Sequence, residues 1–147
     1  MKKIIALLLS IGSTTFAANL TVTIDNIQSN KGNIRLAVFA ETDKVRFPSG
    51  TPTMIINQST GESTKGIVEP ATKGAITFRI TAPVGVYAIS AYHDKNNNKE
   101  LDKSFFGVPS EPYGFSNDAR GIFGPPDYFD AQFDLKDSGA KIVFDVM

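Results

Sequence analysis

The sequence predicts an all-β fold, a Greek-key antiparallel β-sandwich of about seven or eight strands. Three observations carry it. Apolar and polar residues alternate with a period of two in short runs, and clusters of Gly, Pro, Asn and Asp separate those runs. Beyond the N-terminal leader, no window longer than two turns shows the helical period.

The elements follow in order. Leu20, Val22 and Ile24 alternate with Thr21, Thr23 and Asp25, so the first strand has one oily and one wet face. Asn30-Lys31-Gly32-Asn33 turns the chain into a second strand, Ile34 to Ala40, and the pair reads as an antiparallel hairpin. Pro48 to Pro52 interrupts the pattern before a short strand at Met54 to Asn57, and a polar loop runs from Gln58 to Lys65. Gly66 to Glu69 is a weak strand and Ala75 to Thr81 a strong one, with Ile76, Phe78 and Ile80 on one face. Val86 to Tyr92 is nearly continuously apolar, as a central strand covered on both sides should be. Phe129 to Leu135 and Lys141 to Val146 complete the set, split by a turn at Asp137-Ser138-Gly139.

Val86-Tyr87 follows the turn Pro83-Val84-Gly85, placing a tyrosine at the start of the central strand. Such a tyrosine either buries its ring and returns its hydroxyl to the turn, as in the tyrosine corner of immunoglobulin-like sandwiches, or is an ordinary strand residue.

The first seventeen residues form a leader. Lys2 and Lys3 precede an apolar run from Ile4 to Leu9, then small and polar residues lead to Thr15-Phe16-Ala17. That is the layout of a secretory signal peptide cleaved after Ala17, and its apolar core is too short to cross about 30 Å of hydrocarbon. The expectation is an exported domain, periplasmic or extracellular, comprising residues 18–147 and lacking any later membrane span. Fifteen basic residues match fifteen acidic ones, and two of the basic ones lie in the leader, so no basic surface is available for nucleic acid. Cysteine is absent, so neither disulfides nor thiol chemistry contributes.

Two stretches point toward function. From Asp94 to Asp102, oxygen-bearing side chains recur on alternate residues: Asp94, Asn96, Asn98, Glu100 and Asp102. Aligned with a twelve-residue calcium loop, they take the first, third, fifth, seventh and ninth positions, the seventh ligating through its backbone carbonyl. Lys99 occupies the usual glycine position and Phe105 that of the bidentate glutamate, so this is not an EF-hand. Lys95, Lys99 and Lys103 offset the acidic charge, which sets an expected calcium dissociation constant on the order of 10⁻⁴ to 10⁻³ M. Asp118, Asp127 or Asp130 would supply further ligands if the following loop folds back. The alternative is a solvated turn, since Asp and Asn side chains bond the local backbone and tolerate left-handed conformations.

From Ser104 to Tyr128, six aromatic residues are interleaved with four glycines and four prolines. Loops this long inside compact domains are functional or disordered, and the aromatic content argues against disorder. One reading is a surface that holds cell-envelope polysaccharide or a protein partner, drawing on Tyr113, Phe115, Asn117 and Arg120. The other is a satellite core in which the rings bury one another.

No catalytic constellation emerges. There is one histidine, His93, no Gly-x-Ser-x-Gly elbow, and nothing that sets two carboxylates across a cleft. A non-enzymatic module is expected.

Tyr92-His93-Asp94, Asn96-x-Asn98, Leu101-Asp102, Phe106-Gly107-x-Pro109, Glu111-x-Tyr113-Gly114-Phe115-Ser116-Asn117 and Gly124-Pro125-Pro126 together resemble a family of exported bacterial proteins, domain of unknown function 2141. In that family a glycine commonly follows the Asp-x-Asn-x-Asn run, where this chain has Lys99. The resemblance implies a single exported domain with a prealbumin-like or immunoglobulin-like sandwich, and it brings no activity with it.

Overall fold

The computed structural model describes residues 15–147. The leader assigned to residues 1–17 lies, apart from its last three residues, outside the described residues. The described chain forms ten strands: β1 (Ala17–Ile27), β2 (Asn33–Ala40), β3 (Ile55–Asn57), β4 (Glu62–Thr64), β5 (Ile67–Pro70), β6 (Gly74–Pro83), β7 (Gly85–Asp94), β8 (Tyr113–Phe115), β9 (Phe133–Leu135) and β10 (Ala140–Asp145). One four-residue helix, α1 (Tyr128–Ala131), interrupts them. The strands make two sheets, ordered β10-β1-β6-β3-β4 and β5-β2-β7-β8, with β9 also on β7.

Alternation builds the core. Leu20, Val22 and Ile24 of β1, Ile34, Leu36 and Val38 of β2, and Phe78 and Ile80 of β6 all turn inward and are buried. Each such side chain contributes about 1.5–3 kcal/mol when removed from water. β7 is central, pairing with β2, β8 and β9, and six of its ten residues are buried and none exposed, in keeping with its continuous apolarity. The Tyr87 hydroxyl donates to the Pro83 carbonyl at 2.7 Å, so the tyrosine corner is present.

The hairpin expected between the first two strands does not form. β1 is flanked by β6 and β10 in one sheet, while β2 pairs with β5 and β7 in the other. With both edges of β1 occupied, the turn at Gly32 becomes an arch between sheets. The β1–β10 pair is parallel, a departure within an otherwise antiparallel sandwich. The eight expected strands are all represented, and β4 and β8 are additional. The expected strand at Phe129 to Leu135 splits into α1 and β9, because the Tyr128 ring is drawn inward and its hydroxyl donates to the Val86 carbonyl at 3.0 Å.

A second cluster covers the outer face of the β2–β7–β8 sheet. Phe39, Ala88, Phe115, Ala119, Tyr128 and Ala131 pack there against partly buried Phe47 and Tyr113. Phe47 meets the rings of Phe39, Phe115 and Tyr128 edge to face, with centroids 5.3–5.7 Å apart. A satellite core thus takes in Tyr113, Phe115 and Tyr128 of the long loop and clamps it to the sandwich, while the other three rings of the loop stay outside it.

Candidate functional site

The 94–111 loop grows from the end of β7, and the strand register determines its anchor. Asn33 lies opposite Asp94 and Arg35 opposite Tyr92, so Arg35 and Asp94 are diagonal neighbours on one face. Arg35 Nε donates to Asp94 Oδ2 at 2.6 Å. The Lys99 N–H donates to the same oxygen at 3.0 Å, and the Asn98 N–H donates to Oδ1 at 3.1 Å. Asp94 is fully buried. Burial alone would raise its pKa, but the Arg35 hydrogen bond, the two backbone donors and the guanidinium charge outweigh it and hold the carboxyl below the ordinary value.

Beyond that anchor the loop satisfies itself. Asn96 Oδ1 accepts from the Asn98 N–H at 3.1 Å, and Asn98 Oδ1 from the Glu100 N–H at 3.0 Å. Their amide nitrogens donate to the two oxygens of Asp102, at 2.7 Å from Asn96 and 2.6 Å from Asn98. Asn97 and Lys99 adopt left-handed φ of 59° and 69°. Glu111 closes the loop from beneath, its carboxylate accepting from the Lys95 N–H at 2.8 Å and the Asp102 N–H at 3.1 Å. Asn33 Nδ2 donates to Asn97 Oδ1, tying the curl to β2.

Asp94, Asn96, Asn98 and Asp102 are therefore brought into one network. Glu100 joins through its backbone, and its side chain stays exposed. Among the described residues, no three His, Asp or Glu side chains converge. Asp118 is engaged elsewhere, accepting from the Asp145 N–H at 2.9 Å. A cation at this loop would draw on the Asp102 carboxylate with amide and backbone oxygens, and would compete with Arg35 for Asp94. Two residues of the anchor, Arg35 and Glu111, were not visible as such in the sequence. Arg35 reads there as one polar position in an alternating strand, and Glu111 as a neighbour of the aromatic residues.

The four residues expected to form an aromatic binding surface all take part in the loop's own packing and hydrogen bonds, while Asn117 and Arg120 stay exposed. Phe115 is buried and meets the half-buried Tyr113 ring edge to face, with centroids 5.8 Å apart. Asn117, at φ 61°, donates to the carbonyls of Asp130 and Gln132 at 3.2 and 2.8 Å. The Arg120 guanidinium lies 5.9 Å from the Tyr113 ring centroid and within 3.4 Å of the Tyr113 carbonyl. The exposed rings of this segment are Phe105, Phe106 and Phe123, and with them Ile122. Aromatic content and Gly/Pro spacing alone do not separate them from their buried neighbours.

His93 points into the core end of the sandwich opposite Ile34, fully buried. Its Nε2–H donates to the Lys31 carbonyl at 2.6 Å, and Nδ1 has no partner.

The fold and this rim define an all-β sandwich with one self-bonded polar loop and two projecting apolar turns. The chain belongs to the family described as uncharacterized protein conserved in bacteria (DUF2141), whose model matches residues 22–143. No curated protein and no solved structure matches the chain.

Proposed function

We propose that the domain is an exported, non-enzymatic binding module, periplasmic or extracellular, that presents rigid apolar loop tips to a component of the cell envelope. The observation that supports this reading is the near-complete exposure of Phe105 and Phe106, 98% and 88%, at the apex of a hydrogen-bonded turn. Large apolar side chains held in water by a hydrogen-bonded turn mark an interaction site more often than a packing defect. Polysaccharide and protein are the partners suggested by the aromatic content, with the contact moved from Tyr113 and Phe115 to the tips. Retention of the purified chain on isolated envelope fragments tests it. Phe105→Ser/Phe106→Ser abolishes retention without lowering the melting temperature, whereas undiminished retention by that variant refutes the reading.

Calcium at the 94–102 loop is a second reading, favoured by one observation. The Asn96 and Asn98 side-chain oxygens each accept the amide two residues ahead, and left-handed Lys99 stands where calcium loops place glycine. In this reading Asp94, Asn96, Asn98 and Asp102, with the Glu100 carbonyl, surround a weakly held cation that stiffens the base of the tips.

A further inference from the structure

The loop tips share a pattern. Lys103-Ser104-Phe105-Phe106-Gly107 and Arg120-Gly121-Ile122-Phe123-Gly124 each place a cation, a small residue, two large apolar residues and a glycine in succession. Phe105 and Phe106 are 98% and 88% exposed, and Ile122 and Phe123 are 91% and 103% exposed. Lys103 and Arg120 are exposed as well.

The first tip is held by a hydrogen-bonded stem and the second by a tight backbone turn. In the first, the Gly107 N–H donates to the Ser104 carbonyl at 2.9 Å, the Ser104 N–H to Val108 at 2.7 Å and the Ser110 N–H to Asp102 at 2.8 Å. Lys103 bridges Pro109 across this stem, and Glu111 and Asp94 fasten its base. The two phenylalanine rings pack edge to face, 5.5 Å apart, into one apolar knob. Turn apices ordinarily carry Gly, Asn, Asp or Ser, so two phenylalanines there are unexpected on conformational grounds. In the second tip, the carbonyls of Gly124 and Pro125 approach Gly121 so closely that no side chain fits at that position. The roots adjoin, since Arg120 lies over the ring of Tyr113, which follows directly on the first loop.

We infer that these two tips insert into a lipid bilayer surface, with Lys103 and Arg120 meeting anionic headgroups. This rests on the binding-module reading and names its partner. Convex apolar knobs suit a deformable apolar phase. A small ligand would need a concave site, and two hollows among the described residues lie away from the tips, one lined by Thr42, Asp43, Val45, Arg46 and Thr51, the other around Phe16, Val84 and Lys136. Polysaccharide recognition needs hydrogen-bonding groups beside each ring, and the flanking residues here are mainly glycine. A cation two residues before each apolar pair reproduces, on loops, the division between apolar face and basic flank of interfacial anchors.

The chain contains no tryptophan, so Phe106→Trp and Phe123→Trp each provide a single reporter. Vesicles of phosphatidylcholine, alone or equimolar with phosphatidylglycerol, are titrated into the full chain. The inference expects a blue-shifted indole emission from both variants, stronger with the anionic vesicles and quenched by brominated acyl chains. Phe105→Ser/Phe106→Ser and Ile122→Ser/Phe123→Ser should each weaken co-sedimentation roughly tenfold or more. All chains carry the same leader, so residues 4–9 contribute equally to every comparison. Unshifted emission with both vesicle types overturns the inference. If delipidated envelope polysaccharide then still retains the chain through the tips, the binding-module reading survives; if nothing does, both fall. A blue shift that depends on protein concentration without vesicles identifies a second copy as the occupant and also overturns it.

Discussion

Arg35 and Asp94 meet at 2.6 Å across the β2–β7 ladder, and the carboxylate of that pair is wholly buried. Removing the guanidinium leaves a buried charge held only by two backbone N–H groups, so Arg35→Ala costs about 3 kcal/mol. Asp94→Ala is similarly damaging, and the double variant costs less than the two together, since no orphan charge remains. The pair is also sensitive to acid. Asp94 has a lowered folded pKa, so its contribution is complete above the unfolded value of about 3.9 and is lost as pH falls through the lower folded value. Urea titrations at neutral and acidic pH check this. The stability gap between wild type and Arg35→Ala narrows below about pH 4, and a constant gap rules out the pair as its source.

The calcium reading makes a separate prediction. With a dissociation constant near 10⁻³ M, about 10 mM calcium stabilises the folded chain by about 1.4 kcal/mol, a rise in melting temperature of about 4 °C. Asp102→Ala removes the rise, because its carboxylate faces both Asn96 and Asn98. Equal melting temperatures in calcium and in chelator dismiss the cation and leave a loop that holds itself by hydrogen bonds.

What the sequence revealed and what it hid divide along local and nonlocal lines. The faces of β1 and β6 were legible because a period of two is written in neighbouring residues: Leu20-x-Val22-x-Ile24 and Ile76-x-Phe78-x-Ile80. Tyr87 was legible for the same reason, its hydroxyl reaching back only to Pro83. The partner of β1 was not, since the arch at Gly32 and a hairpin turn look alike over four residues. β8 is three residues long and carries Gly114, where the Asp145 carbonyl approaches too closely for any side chain, a constraint set by a distant strand. The spacing from Asp94 to Asp102 did mark a cooperative loop, but its counter-ion and floor, Arg35 and Glu111, are determined by strand register and chain return.

Gly32 supports the same loop from the opposite strand end. Its φ is 71°, and a Cβ there would collide with the Asp94 carbonyl and the Lys95 backbone. Gly32→Ala therefore forces β2 and the 94–111 loop apart and costs about 3 kcal/mol or more. Gly61, at φ 74° but with open space around it, isolates the conformational part of that cost. Gly61→Ala loses only about 1 kcal/mol. Equal losses in chemical denaturation would show that the contact with Asp94 contributes nothing.

Ser116 joins the long loop to the central strand. It is fully buried, and its hydroxyl accepts from the Ile89 N–H at 2.9 Å while donating to the Ala131 carbonyl. One side chain thus satisfies a β7 donor that no neighbouring strand reaches and also pins the end of α1 to the sandwich. Ser116→Ala leaves both groups buried without partners and costs about 2 kcal/mol. Because the outer cluster of Phe115, Tyr128 and Ala131 depends on that pin, the damage is local before it is global. Hydrogen exchange at the Ile89 amide should accelerate far more than at Leu20 or Val22 in β1, whose protection follows global stability alone. Uniform acceleration across both sheets would mean that the hydroxyl serves the whole fold rather than this clasp.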